Sequence, residues 1–144
     1  MILYLDSSAF VKLLIGESES RQVLDWAYEA MALACSPLGY PEMVSAVGRR
    51  RREGSLSPAL HQRALSELES QWGNVVSVAV DERLAGSLAR RYPLSGADAV
   101  HLAAALTLVQ SEVPVALCSF DHRLAAAAAS EGLSVLGASY SPAS

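Results

Sequence analysis

Five short, mostly apolar runs are spaced along this chain: Ile2-Leu3-Tyr4-Leu5, Leu33-Ala34-Cys35, Val75-Val76-Ser77-Val78, Val115-Ala116-Leu117-Cys118 and Leu133-Ser134-Val135-Leu136. A strand with one wet face alternates apolar and polar residues, whereas a nearly continuous apolar run belongs to a strand covered on both faces. Helical patterns separate the runs. Ser7 or Ser8 caps a helix through Phe10, Val11 and Leu14 that Gly16 stops, and residues 17–31 follow with Val23, Leu24, Ala27, Tyr28 and Met31 at helical spacing. Ser36-Pro37 and Ser57-Pro58 each read as an N-cap followed by a proline at the first helical position. The first of these helices runs past Glu42 to Gly54, and Pro41 predicts a kink or a later start near Glu42; the second runs to Trp72. Further helices are expected over residues 81–92, 97–109 and 121–129. Strands alternating with helices predict an α/β fold, a three-layer sandwich with a mainly parallel central sheet and right-handed crossovers.

The 144 residues amount to one domain, which excludes a multidomain enzyme, and a 51% apolar content with 18% charged residues excludes a disordered chain. Residues 139–144, rich in Ser, Pro and Ala, are expected to fray. The longest apolar stretch, residues 99–109, is interrupted by His101 and is too short to cross a bilayer. Asp6 breaks the N-terminal apolar run where a signal peptide would continue it, so a soluble cytoplasmic protein with no membrane association is expected. Cys35 and Cys118 are too few for a disulfide framework or a zinc site, and their apolar neighbours fit buried thiols in a reducing compartment. The net charge of −4 counts against a polyanionic partner, whose binding rests on Lys and Arg.

In a parallel sheet, ligands bind beyond the carboxyl ends of the strands. Asp6 directly follows the first run and Asp121 lies three residues after the fourth, while Glu42 and Asp98 sit near the starts of helices that reach the same edge. Each has a simpler explanation: Asp6 and Asp121 as helix caps, Glu42 as solvated helix surface, Asp98 as a first-turn acid favoured by the helix dipole. Together, four converging carboxylates repel one another unless a cation neutralises them. Hard oxygen donors without paired His or Cys suit Mg²⁺ or Mn²⁺ and not Zn²⁺.

The segments Leu3-Tyr4-Leu5-Asp6-Ser7-Ser8-Ala9, Tyr40-Pro41-Glu42-Met43, Leu94-Ser95-Gly96-Ala97-Asp98-Ala99-Val100-His101-Leu102-Ala103-Ala104-Ala105 and Cys118-Ser119-Phe120-Asp121-His122-Arg123-Leu124 resemble, in order, the motifs of PIN-domain nucleases. The chain is similar in particular to the VapC toxins of toxin–antitoxin pairs, and the third segment is the most specific. The resemblance implies that Asp6, Glu42, Asp98 and Asp121 form the metal-binding and catalytic set and that Ser119 assists it. It also implies hydrolysis of RNA phosphodiesters with Mg²⁺ or Mn²⁺, leaving a 5′-phosphate and a 3′-hydroxyl. The partners it implies are an RNA substrate, a cognate antitoxin protein and a second copy of the toxin in a homodimer.

Two other readings compete. A HAD-like phosphatase would use Asp6 as nucleophile, but the second Asp expected two residues on is Ser8 here. A non-catalytic, metal-stabilised binding module would use the same acids without turnover. No Gly-rich turn follows the first run, which disfavours a dinucleotide site. Arg49-Arg50-Arg51-Arg52 fits either cations complementing a helix C-terminus or contacts to a phosphate backbone. His101 reads as a satisfied core histidine, Lys12 as a solvated side chain near Asp6, and Tyr4, Trp26, Tyr28 and Trp72 as core or interface. Aromatics do not interleave with basic residues, so no base-stacking platform is expected. Setting the four acids aside leaves 11 acidic against 11 basic residues, so the whole formal charge equals the candidate site.

Overall fold

The computed structural model describes residues 1–138; the expected fraying of 139–144 lies outside the described residues. The first apolar run is β1 (Ile2–Leu5), and Asp6 itself, not Ser7 or Ser8, caps the helix that follows, α1 (Ser7–Leu14). The chain continues through α2 (Ser20–Glu29), β2 (Ala32–Cys35), α3 (Gly39–Arg52), α4 (Pro58–Trp72), β3 (Val76–Ser77) and α5 (Glu82–Arg91). It ends with α6 (Gly96–Val109), β4 (Val115–Ser119), α7 (His122–Ser130) and β5 (Ser134–Gly137). The five strands form one sheet in the order β3-β2-β1-β4-β5, and every pairing is parallel, so the sheet is wholly and not just mainly parallel.

The period of two in a strand divides the core between the two faces. Leu3, Leu5, Ala116 and Cys118 face α1 to α4, packing against Phe10, Val11, Val23, Met43 and Leu68. Tyr4, Ala34 and Leu117 face α5 to α7, against Leu88, Leu102, Ala103, Leu124 and Ala128. Alanines dominate the buried faces of α6 and α7, which lets both helices lie close on the sheet.

Three local differences from the sequence expectation have physical causes. Ser57-Pro58 starts α4 as expected, with the Ser57 hydroxyl accepting the Leu60 N–H, but Ser36-Pro37 makes a turn before α3 instead. There the Ser36 hydroxyl accepts the Leu38 N–H, and α3 begins at Gly39. Pro41 then falls in the first turn, where its missing N–H breaks no helical bond, so the later start is realised and no kink is needed. In α2 the buried side is centred on Val23, with Trp26, Ala27 and Ala30 packed beside it, while Leu24, Tyr28 and Met31 are exposed. Tyr28 therefore belongs to no core. The third apolar run contributes only Val76 and Ser77 to the sheet, because β3 pairs only with the last two residues of β2.

Two glycines are demanded by close approach. A Cβ on Gly39 would lie 2.4 Å from Cys35 Sγ, so only glycine lets α3 start against the end of β2. Gly137 has φ 107° and a Cβ there would meet the Ser119 carbonyl oxygen at 2.4 Å. Glycine at this position lets β5 pair with the last residue of β4.

Candidate active site

The sheet order reverses direction between β1 and β4. From β1 the chain departs through α1 on one face, and from β4 through α7 on the other, which opens a crevice at their carboxyl ends. Asp6 and Ser119 line this switch point. Asp6 is 3% exposed; its Oδ1 accepts the Ala9 N–H at 2.9 Å and the Ser8 hydroxyl at 2.7 Å, and its Oδ2 accepts the Ser119 hydroxyl at 2.6 Å. The Ser119 hydroxyl also accepts the Asp121 N–H at 3.1 Å, and Asp121 Oδ1 caps α7 through the Leu124 N–H at 2.9 Å. One serine oxygen thus joins the acid after β1 to the acid after β4. Burial pushes the Asp6 carboxyl above its ordinary range, against the opposing pull of its three donors.

Asp98 enters from the first turn of α6, where the Ser95 hydroxyl accepts its N–H at 3.1 Å. It is half-buried, and its pKa is raised by that burial and by the nearby carboxylates of Asp121 and Asp6. Asp98 thus lies within reach of the charges of both Asp121 and Asp6. Glu42, in the first turn of α3, behaves oppositely. Burial alone would raise it, but hydrogen bonds from His101 and Ser7 and the proximity of His101 hold it below the ordinary range. Ser7, the residue after Asp6, lines the same cleft as Glu42. Cys35 responds to both: burial, then Asp6 and Glu42, push its thiol up to about 12, so it stays an unreactive buried thiol.

His101 is 1% exposed, as a core histidine should be, yet its partners connect core to site. Nδ1 lies 2.7 Å from the Tyr4 hydroxyl and Nε2 lies 2.6 Å from Glu42 Oε1. This link was hidden in the sequence by a separation of 59 positions. The available signal was its place three residues after Asp98, which puts both near one face of α6.

Lys12 does not reach into solvent or toward Asp6. Its side chain is 11% exposed, pairs with Glu19 at 2.9 Å and Glu17 at 3.5 Å, and lies over the Phe120 ring, bracing the loop between Ser119 and Asp121. The arginine run divides around the end of α3. Arg49 and Arg50 line a cleft of about 550 Å³ with Ser7, Ser8, Glu42 and Ser45, while Arg51 and Arg52 face a separate depression toward α4. Arg50 also pairs with Glu17 at 3.2 Å.

Among the described residues, no three His, Cys, Asp or Glu side chains close into a cage that would hold an ion alone. The donor set nevertheless fits a hard divalent cation. It supplies carboxylate oxygens whose mutual repulsion a cation relieves, and Mg²⁺ keeps several waters and needs only one or two carboxylates. An aspartyl nucleophile is a poor fit, because the position two residues after Asp6, where its general acid would stand, is Ser8, whose hydroxyl donates to Asp6 Oδ1.

An all-parallel sandwich with an acidic switch point, reached by carboxylates from four different helix starts, defines a class of acid-centred α/β proteins. Residues 3–130 match the PIN domain, and the chain belongs to that family. It is 36% identical over 144 residues to "Ribonuclease VapC45" of Mycobacterium tuberculosis, covering 98% of this chain and 99% of the relative. Among solved structures it is similar to M. tuberculosis VapC20, described as a sarcin-ricin loop cleaving toxin, with TM-score 0.61, 19% identity and coverage of 87% and 94% of the two chains. A toxin–antitoxin complex from Klebsiella pneumoniae shares the fold with TM-score 0.59 and 17% identity, covering 84% of this chain and 88% of that one.

Proposed function

We infer that this chain is a metal-dependent endoribonuclease that hydrolyses RNA phosphodiester bonds and acts as the toxin of a toxin–antitoxin pair. Full-length similarity to a VapC ribonuclease supports the activity, and the observation that carries it to particular residues is the Ser119 hydroxyl that joins Asp6 to the Asp121 backbone, with Asp98 opening α6 within reach of both charges. In this reading Mg²⁺ or Mn²⁺ is held by Asp6 and Asp98, with Glu42 and Asp121 acting directly or through water. When bound, such an ion activates water as nucleophile and neutralises charge on the scissile phosphate. Asp6 is fixed beforehand by Ala9, Ser8 and Ser119, so little reorganisation accompanies the reaction. Ser119 acts by holding Asp6 and the Asp121 backbone in register.

The cleft beside Glu42 gives the substrate a path. Arg49 and Arg50 border it and supply cations for an RNA backbone whose scissile phosphate lies at the acids. A protein antitoxin that blocks an acidic crevice carries a basic residue into it, and a second copy of the chain completes a toxin homodimer. Among the described residues no helix is long and apolar enough to cross a membrane, and the inert buried thiols fit a reducing cytoplasm.

The test is the full chain with a panel of structured RNAs in Mg²⁺, Mn²⁺ or chelator. Cleavage is expected in either ion, lost on chelation and lost in Asp98→Asn with an unchanged circular dichroism spectrum. Failure to cleave any RNA in both ions overturns the reading, and metal binding without cleavage favours a binding module.

A further inference from the structure

The structure assigns His101 the role of a positioning residue that aims Glu42 from inside the core, with Tyr4 as its anchor; this rests on the metal-dependent reading above. Three hydrogen bonds run in series from sheet to site. The Ser36 N–H donates to the Tyr4 hydroxyl oxygen at 2.9 Å, that hydroxyl lies 2.7 Å from His101 Nδ1, and His101 Nε2 lies 2.6 Å from Glu42 Oε1. Tyr4 is fully buried and His101 is 1% exposed, so each polar atom in the chain needs its partner.

One arrangement of the protons pairs every group in this series. The Tyr4 oxygen already accepts from Ser36, and its own O–H has His101 Nδ1 as the acceptor within reach. In that arrangement Nδ1 is the bare nitrogen and the ring proton sits on Nε2, pointed at a carboxylate that can only accept. The opposite tautomer, with its proton on Nδ1 alone, would set a bare Nε2 against a carboxylate oxygen at 2.6 Å. A histidine whose tautomer and ring orientation are set by a second group is the usual outer-shell device for fixing a metal-site ligand. Here it fixes a carboxylate. Ser7, on the Asp6 turn, lines the same cleft as Glu42, and His101 holds the carboxylate from the core. Glu42 follows Pro41 in the first turn of α3, where the helix alone gives a long, unbranched side chain little restraint.

The experiment is a double-mutant cycle on the full chain, read by calorimetric titration with Mn²⁺ alone. Tyr4→Phe keeps the ring and removes the hydroxyl that orients His101. It is expected to weaken Mn²⁺ binding about tenfold, the lower end of outer-shell effects. In a Glu42→Gln background the same change is expected to matter by less than about twofold, because the group it positions is gone. A purely structural role for Tyr4 lowers the melting temperature equally in both backgrounds and shows no such coupling. If Tyr4→Phe fails to fold, imidazole nitrogen shifts of the unsubstituted chain decide, with the Nε2–H tautomer of His101 expected. The inference is overturned alone if Glu42→Gln weakens Mn²⁺ binding but Tyr4→Phe does not, if both backgrounds lose equally, or if the proton is on Nδ1. If neither Glu42→Gln nor Asp98→Asn alters Mn²⁺ binding, the metal-site reading falls and this inference with it.

Discussion

Asp98, proposed above as a metal ligand, costs the metal-free fold stability. Its carboxyl is raised by burial and by the carboxylates of Asp121 and Asp6, so its ionised form is unfavourable in the metal-free native state. A raised native pKa gives a contribution that is complete below the unfolded value of about 3.9 and is lost as pH climbs through the native value. Asp98→Asn is therefore expected to raise the metal-free melting temperature at neutral pH by roughly 1–3 °C, a modest gain because the side chain is half solvated. That gain shrinks as pH falls toward about 4, and differential scanning calorimetry across pH checks it. A variant that melts lower than the wild type at neutral pH would contradict the repulsion. The same substitution is expected to slow RNA cleavage by more than about 100-fold. At this scale the acids were legible in the sequence because they fall at strand-to-helix junctions. The partner of His101 was not, since a contact between residues 42 and 101 depends on how α3 and α6 both begin at one sheet edge. Nor was the burial of Lys12, whose nearest acids at 17 and 19 become partners only because Glu19 takes a left-handed turn, φ 64°, before α2.

Elements deliver these residues by where they begin. Two Ser-Pro pairs look alike in the sequence, yet only Ser57-Pro58 opens a helix, because after Ser36-Pro37 the chain must first clear the end of β2. Gly39 makes that possible. Gly39→Ala is expected to cost about 1–3 kcal/mol through overpacking of its new Cβ on Cys35 Sγ, measured by denaturant unfolding. Adding Cys35→Ala removes the sulfur and should recover part of the loss. An additive, undiminished penalty in the double variant would show that the contact is not its origin. Strand positions were largely legible from the apolar runs, and their parallel pairing from the helices between them. The shortness of β3 and the choice of buried stripe in α2 were not. Both depend on what lies alongside: β3 meets only the end of β2, and α2 turns Val23 and not Tyr28 toward the sheet.

At the scale of the molecule, an acidic chain is read as a nuclease because its excess charge is concentrated where a cation is needed, while cations border the approach. Arg49→Ala, at the rim of the cleft beside Glu42, is expected to weaken RNA binding across sequences and to flatten its salt dependence by about 0.7 in log–log slope. Filter binding over a range of salt checks this; an unchanged slope would remove Arg49 from the path. The order β3-β2-β1-β4-β5 puts the direction reversal between β1 and β4, which is why residues as distant as 6 and 119 share a hydrogen bond. The central claim is that these acids direct metal-assisted attack of water on an RNA phosphodiester. Mapping the ends of RNA cut by the full chain in Mg²⁺ tests it most directly. A 5′-phosphate and a 3′-hydroxyl, absent with chelator and in Asp6→Asn, are the predicted result; a 2′,3′-cyclic phosphate, or cutting that survives chelation, would contradict it.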